Sequence, residues 1–147
     1  MKKIKFIAGL FLLINISLCF AAFRSVIPLE ISSDSPVNLK STGATLIGRN
    51  PDNVKRLFVD EIIIYINNAS GLVTPPTLSI GTNASNYNNI LPATLMTASA
   101  SGEYTLKIPV GTVVPINANT DVFVNVTNGA VGTTYSGRFA VEGIPTP

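Results

Sequence analysis

EIIIYINNASGLVTPPTLSIG, residues 61–81, decides the fold class. Ile62, Ile64 and Ile66 return at every second position, the period at which a β-strand brings its side chains back to one face. Asn67-Asn68, Gly71 and Thr74-Pro75-Pro76 then supply turn chemistry before a second short apolar run. DVFVNVTNGAVGTTYSGRFAVEG, residues 121–143, repeats the order: an acid, an apolar strand, an Asn-containing turn, Gly, Val and a Thr-rich return. Both read as hairpins, expected to hold equivalent places in the two sheets of a sandwich.

The first segment is also apolar at alternate positions on its other face, through Ile63 and Tyr65. A strand apolar on both faces needs cover on both, from a long loop or from a neighbouring subunit. Symmetric self-association is the commonest form of subunit cover, which makes Ile63 and Tyr65 candidate self-association residues and a homo-oligomer the expected state.

The same grammar extends along the chain. Strands are expected at 26–32, 44–48, 56–67, 77–81, 93–97, 104–109, 121–127 and 134–142, with Tyr104, Leu106 and Ile108 alternating against Glu103, Thr105 and Lys107. Pro92, Pro109 and Pro115 are expected to stop strands, because proline gives no ladder donor. Past residue 21 no window sustains a helical period. The expected fold is an all-β antiparallel β-sandwich, jelly-roll-like or immunoglobulin-like, of about eight strands, in one domain over residues 22–147.

Residues 1–21, MKKIKFIAGLFLLINISLCFA, read as an export signal peptide: a basic start at Lys2, Lys3 and Lys5, an apolar stretch from Phe6, and a Cys19-Phe20-Ala21 ending suited to cleavage before Ala22. The apolar stretch is shorter than the roughly 20 residues of a spanning helix, so no membrane span is expected after cleavage. Leu18 fits a lipoprotein signal at Cys19 poorly. The expected location is secreted, periplasmic or at the cell surface.

Cleavage changes the charge. The chain has 10 Lys and Arg against 8 Asp and Glu; three lysines lie in the leader, so the remainder carries 7 against 8, a net −1. Nucleic acid is not an expected partner, since phosphate binding needs several basic contacts together. Histidine is absent and Cys19 is the one cysteine. The usual general base, the Ser/His/Asp triad and nearly all transition-metal sites therefore lack their residues. Carboxylate-pair chemistry is what remains, and Glu30, Asp34, Asp52, Asp60, Glu61, Glu103, Asp121 and Glu142 are scattered or sit beside turns. No enzyme activity and no cofactor is expected. Asn50, Asp52 and Asn53 offer oxygen atoms to calcium, but a proline-containing turn needs the same residues.

GTNASNYNN, residues 81–89, is the candidate binding loop. Asn83, Ser85, Asn86, Asn88 and Asn89 can donate and accept hydrogen bonds around a sugar while Tyr87 stacks on it. The same residues also populate loops for local reasons, and because the run Ile90-Leu91 after Tyr87 turns the chain back toward the core, Tyr87 is expected to fold back and plug the end of the sandwich.

LSIGTNASNYNNILPATLMTASASGEYTLKIPVGTVVPINANTDVFVNVTNGAVGTT, residues 78–134, resembles β-sandwich modules of phage and virion appendage proteins, of tail-fibre or head-decoration type, in its succession of strands, turns and Asn-rich loop. The resemblance implies a structural or receptor-binding role, usually as an oligomer and without catalysis. A signal peptide departs from that pattern. The sequence thus points to an exported, non-catalytic structural or adhesive module that self-associates, with a cell-surface glycan or protein receptor as further partner. The alternative is a soluble extracellular or periplasmic glycan-binding domain.

Overall fold

The computed structural model describes residues 28–107 and 115–146. The leader, the cleavage point, the beginning of the first expected strand and the break at Pro109 lie outside the described residues. Within them are ten strands and no helix: β1 (Leu29–Ser32), β2 (Val37–Asn38), β3 (Gly43–Arg49), β4 (Arg56–Ser70), β5 (Thr77–Gly81), β6 (Leu91–Leu95), β7 (Gly102–Lys107), β8 (Pro115–Asn117), β9 (Asp121–Asn128) and β10 (Thr134–Thr146).

All pairings are antiparallel. The first sheet runs β1-β10-β4-β7, with β2 continuing β1 along β10 and β8 continuing β7 along β4; the second runs β3-β9-β5-β6. Counting β1/β2 and β7/β8 as interrupted single strands leaves eight. Every connection then crosses between sheets except the one from β5 to β6. This is the double Greek-key order of a jelly roll, and it decides against the immunoglobulin alternative.

The expected hairpins at residues 61–81 and 121–143 do not form. β4 lies in the first sheet and β5 in the second, β9 in the second and β10 in the first, so each segment is an arch between layers. The arches pair with each other, β4 with β10 and β5 with β9. Both sides of β4 are occupied, by β10 and by β7 with β8, so the chain cannot turn back beside it. Pro75 and Pro76 also offer no donors for a tight return. The two segments are equivalent, as their likeness suggests, but through exchange of partners.

Two further expectations are corrected. Pro92 lies inside β6 and Pro115 opens β8. Both positions tolerate proline because β6 is an edge strand, where one side of the backbone needs no ladder donor, and Pro115 is a first residue.

The core lies between the sheets. From the first come Ile31, Leu57, Val59, Ile62, Ile64, Ile66, Tyr135, Phe139 and Val141; from the second Ile47, Leu78, Ile80, Val122, Val124 and Val126. Along β4 the buried positions switch from odd (57, 59) to even (62, 64, 66). A bulge at Asp60, between the pairs Val59–Gly143 and Glu61–Glu142, makes the switch. Without that extra residue Ile62, Ile64 and Ile66 would face outward. Tyr135 is buried, and burial raises its phenol above the ordinary range. Its hydroxyl donates to the Ala98 carbonyl at 2.6 Å, tying the β6–β7 connection to the core.

Asn50 is the polar residue most fully enclosed among the described residues. Its amide nitrogen donates to the carbonyls of Val54 (3.2 Å) and Ile116 (2.9 Å), closing the β3–β4 turn against β8.

Candidate functional site

The Asn-rich loop joins β5 to β6 and folds over the outer face of the second sheet. Val122, Val124 and Val126 face the core, so Phe123 and Asn125 face out. Gly81 stands opposite Phe123. A Cβ on Gly81 would collide with the Asn89 side chain and with the backbone of Tyr87 and Asn88, at 2.5 Å and 2.6 Å from the latter two, so only glycine admits the loop here.

The loop's amides are spent largely on one another. The Asn83 oxygen accepts from the Asn88 N–H at 2.9 Å, and the Asn83 amide donates to the Asn88 side-chain oxygen at 3.0 Å. The Asn89 oxygen accepts from the Thr82 N–H at 2.8 Å while its amide donates to the Thr82 hydroxyl at 3.0 Å. Asn86 contributes its carbonyl, which accepts from the Ser79 hydroxyl at 3.2 Å and the Asn125 amide at 3.4 Å. Ser85 is exposed. Local side-chain-to-backbone bonding of this kind fixes a loop that has no ladder of its own.

Tyr87 has φ +47°, in the left-handed region that a bulky residue rarely adopts. The Tyr87 N–H donates to the Asn83 carbonyl at 2.9 Å, holding the turn. Its half-buried ring rests on Phe123, centroids 4.8 Å apart and tilted by 45°. The ring therefore turns back onto the outer face of the sheet and does not plug the end of the sandwich. Leu46 of β3 lies opposite Phe123, and at the far end of the same strand pair Arg49 and Asp121 form a two-pronged ion pair at 2.6 Å and 3.0 Å. The hydrogen bond from Arg49 holds the Asp121 carboxyl below its ordinary range.

Ile63 and Tyr65 lie on the outer face of the first sheet, since Ile62, Ile64 and Ile66 face inward. Tyr65 is 47% exposed, and Ile144 of β10, opposite Phe58 of β4, is 49% exposed. Ala140 stands beside Ile63, and Arg138 beside Tyr65.

On this face lies a feature the sequence did not disclose. The register places Glu30 of β1 opposite Glu142 of β10, and Glu142 opposite Glu61 of β4. Directly opposed cross-strand positions bring like charges close. The Glu142 carboxyl is raised above its ordinary range, first by partial burial and then by Glu30, Glu61, Asp60 and Glu103. Among the described residues no group of three acidic, histidine or cysteine side chains is arranged to hold a metal ion. Asn50, one of the three calcium candidates, has its amide committed to the β3–β4 turn.

The sequence matches no protein-family model and no curated protein. Its fold is similar to solved chains of phage capsids. A chain of the capsid of Helicobacter pylori bacteriophage KHP30 superposes with TM-score 0.56 at 13% identity, over 82% of this chain and 90% of that one. One from the capsid of Ralstonia phage GP4 gives 0.55 at 15%, over 84% and 86%. One from the Cyanophage Pam1 capsid gives 0.51 at 21%, over 82% of both.

Two outcomes are expected. Tyr87→Ala removes a stacked ring from Phe123, a loss of about 1 kcal/mol for the aromatic pair plus the lost burial, so the melting temperature falls by roughly 5 °C; a differential scanning melt, run beside a glycan array, measures it. Because Glu142 holds its proton more tightly folded than unfolded, its contribution to stability is present below the ordinary glutamate range and lost as pH rises through its raised value. Asp121 has the opposite sign, stabilising above its unfolded value and ceasing to do so as pH falls through the lowered one. Glu142→Gln is expected to raise the melting temperature at pH 7 and leave it little changed at pH 4. The described residues thus form a jelly roll shared with phage capsid chains.

Proposed function

We propose that this chain is an exported, non-catalytic structural subunit that works by self-association, through contacts that include the outer face of the first sheet at Ile63 and Tyr65. The observation that carries the reading is the likeness of fold to three phage capsid chains over more than four-fifths of this chain. Tyr65, exposed on the outer face of the first sheet two residues from Ile63 on the same face, supports it, since outward apolar side chains of this kind are suited to a protein partner. Histidine's absence supports the non-catalytic part. The basic, apolar and small-residue succession of residues 1–21 supports export. An adhesive role toward a glycan or protein receptor is the finer form of the same proposal, with the exposed part of Tyr87 as its contact.

Light scattering on the purified protein tests it. The protein is expected to be an oligomer, and Ile63→Lys to lower the assembled mass while leaving the fold and melting temperature close to wild type, because a charge is introduced into an apolar contact. An unchanged mass would remove this face from the assembly. Mass spectrometry of the same exported sample is expected to find Ala22 at the amino terminus, whereas a lipidated Cys19 would place the protein on a membrane.

A further inference from the structure

Among the described residues the two sheets leave four edges: β1 with β2 and β7 with β8 in the first, β3 and β6 in the second. An edge is a row of unpaired backbone groups that takes up another strand unless something spoils it. β1 has four residues and gives way to a bend before the two of β2. β3 is interrupted by a bulge between Leu46 and Gly48, β6 carries Pro92, and β8 has three residues and opens on Pro115. β7 has none of these defects: Gly102–Lys107 lies against β4 without a bulge, from the pair Ile66–Gly102 to the pair Glu61–Lys107. Its start is fixed, since the Tyr104 hydroxyl donates to the Ala100 carbonyl at 2.9 Å and the Ser101 hydroxyl to the Asn67 carbonyl at 3.3 Å. The two sides of the sandwich also differ. Where β1 meets β3 they are shut, and a Cβ on Gly48 would lie 2.7 Å from the Ile31 side chain. Between β6 and β7 a cleft of about 370 Å³ opens, lined in part by Leu95, Met96, Tyr104 and Leu106.

We infer that β7 pairs with β7 of a second copy, antiparallel about a two-fold axis through Thr105, so that the first sheets of the two copies become one. The inference rests on the self-associating reading and names a contact for it. What selects a second copy is the sequence of the edge itself, GEYTLK. Positions equally far on either side of Thr105 meet across such an axis, so Glu103 stands opposite Lys107 of the second copy, Tyr104 opposite Leu106 and Thr105 opposite itself, and each pairing occurs in both directions. Opposite charges, an aromatic with an aliphatic residue, and two threonines are all favourable at directly opposed positions. Moving the axis by one residue destroys the match: about Tyr104, Glu103 meets Thr105 and Gly102 meets Leu106. An unrelated strand would gain the backbone bonds without these side-chain pairs. Lys107 keeps its register place opposite Glu61 of β4, so the joined sheet sets its charge between a glutamate of each copy. The faces agree as well. Tyr104 and Leu106 lie opposite Ile64 and Ile62 and pack on the core, while Glu103 and Thr105 are exposed. The paired Tyr104 and Leu106 would meet at the mouths of the two clefts, which supplies the apolar part of the contact.

Introduced cysteines test the register, because a chain beginning at Ala22 has no cysteine of its own. Thr105→Cys is expected to give a disulfide-linked dimer on mild oxidation, since directly opposed strand positions lie within disulfide reach. Glu103→Cys is expected to stay unlinked alone and to link when mixed with Lys107→Cys. Glu103→Lys, read by sedimentation equilibrium, is expected to weaken the dimer about tenfold as two symmetric pairs turn repulsive, with an unchanged melting temperature. Mixing Glu103→Lys with Lys107→Glu is expected to restore association that each loses alone, a rescue that misfolded chains would not show. Wild-type association that Glu103→Lys leaves unweakened overturns the inference while the self-associating reading stands. A disulfide from Glu103→Cys alone in place of Thr105→Cys puts another register or another strand on this edge and also overturns it. A wild-type monomer at every concentration overturns both readings.

Discussion

The pairing of β4 with β10 is the constraint on which the rest of the molecule depends. These long strands form the centre of the first sheet, and each leads through an arch to a strand of the second sheet whose neighbour is the other's continuation. Neither arch can be placed without the other. Once they interlock, the remaining strands have single open edges to occupy: β1 and β2 beside β10, β7 and β8 beside β4, β3 beside β9, β6 beside β5. The bulge at Asp60 belongs to the same arrangement, since it lets one strand serve two stretches of core with opposite parity.

The surfaces that result differ in kind. One sheet face mixes apolar residues with opposed glutamates, and the other is roofed by a loop whose amides hold one another. A strand interior leaves little room for polar chemistry, so the chain's variety is displaced to what the two sheets turn outward and to the ends. Phage capsid chains with under a quarter of their residues identical share this scaffold, which is natural if the fold demands only alternation, a few glycines and interlocking arches.

Much of the fold was legible in the sequence because alternation and turn chemistry are local. The eight longer strands announce themselves through residues such as Ile62, Ile64 and Ile66 or Val122, Val124 and Val126. β2 and β8, of two and three residues, are too short to show a period. Partnership is non-local, and the hairpin reading failed for that reason: the likeness between residues 61–81 and 121–143 reflects equivalent places, while local sequence carries no mark of which strand each will lie beside. The loop at 81–89 was legible as a loop, but asparagine serves a ligand and a neighbouring asparagine equally well, so the mutual bonds of Asn83 and Asn88 were not. The glutamate row was invisible because Glu30, Glu61 and Glu142 are far apart in the chain, and only strand register brings them side by side.

The place of β10 has a consequence for how the chain comes into being. It follows all the other strands in sequence yet lies between β1 and β4, so the first sheet has no centre until residues 134–146 are available. A ribosome adds about 5–20 residues per second, and strands that wait for a distant partner form late and slowly. Until then the β4–β5 arch lacks the counterpart with which it interlocks. The last strand of the chain is therefore the one that closes the sandwich.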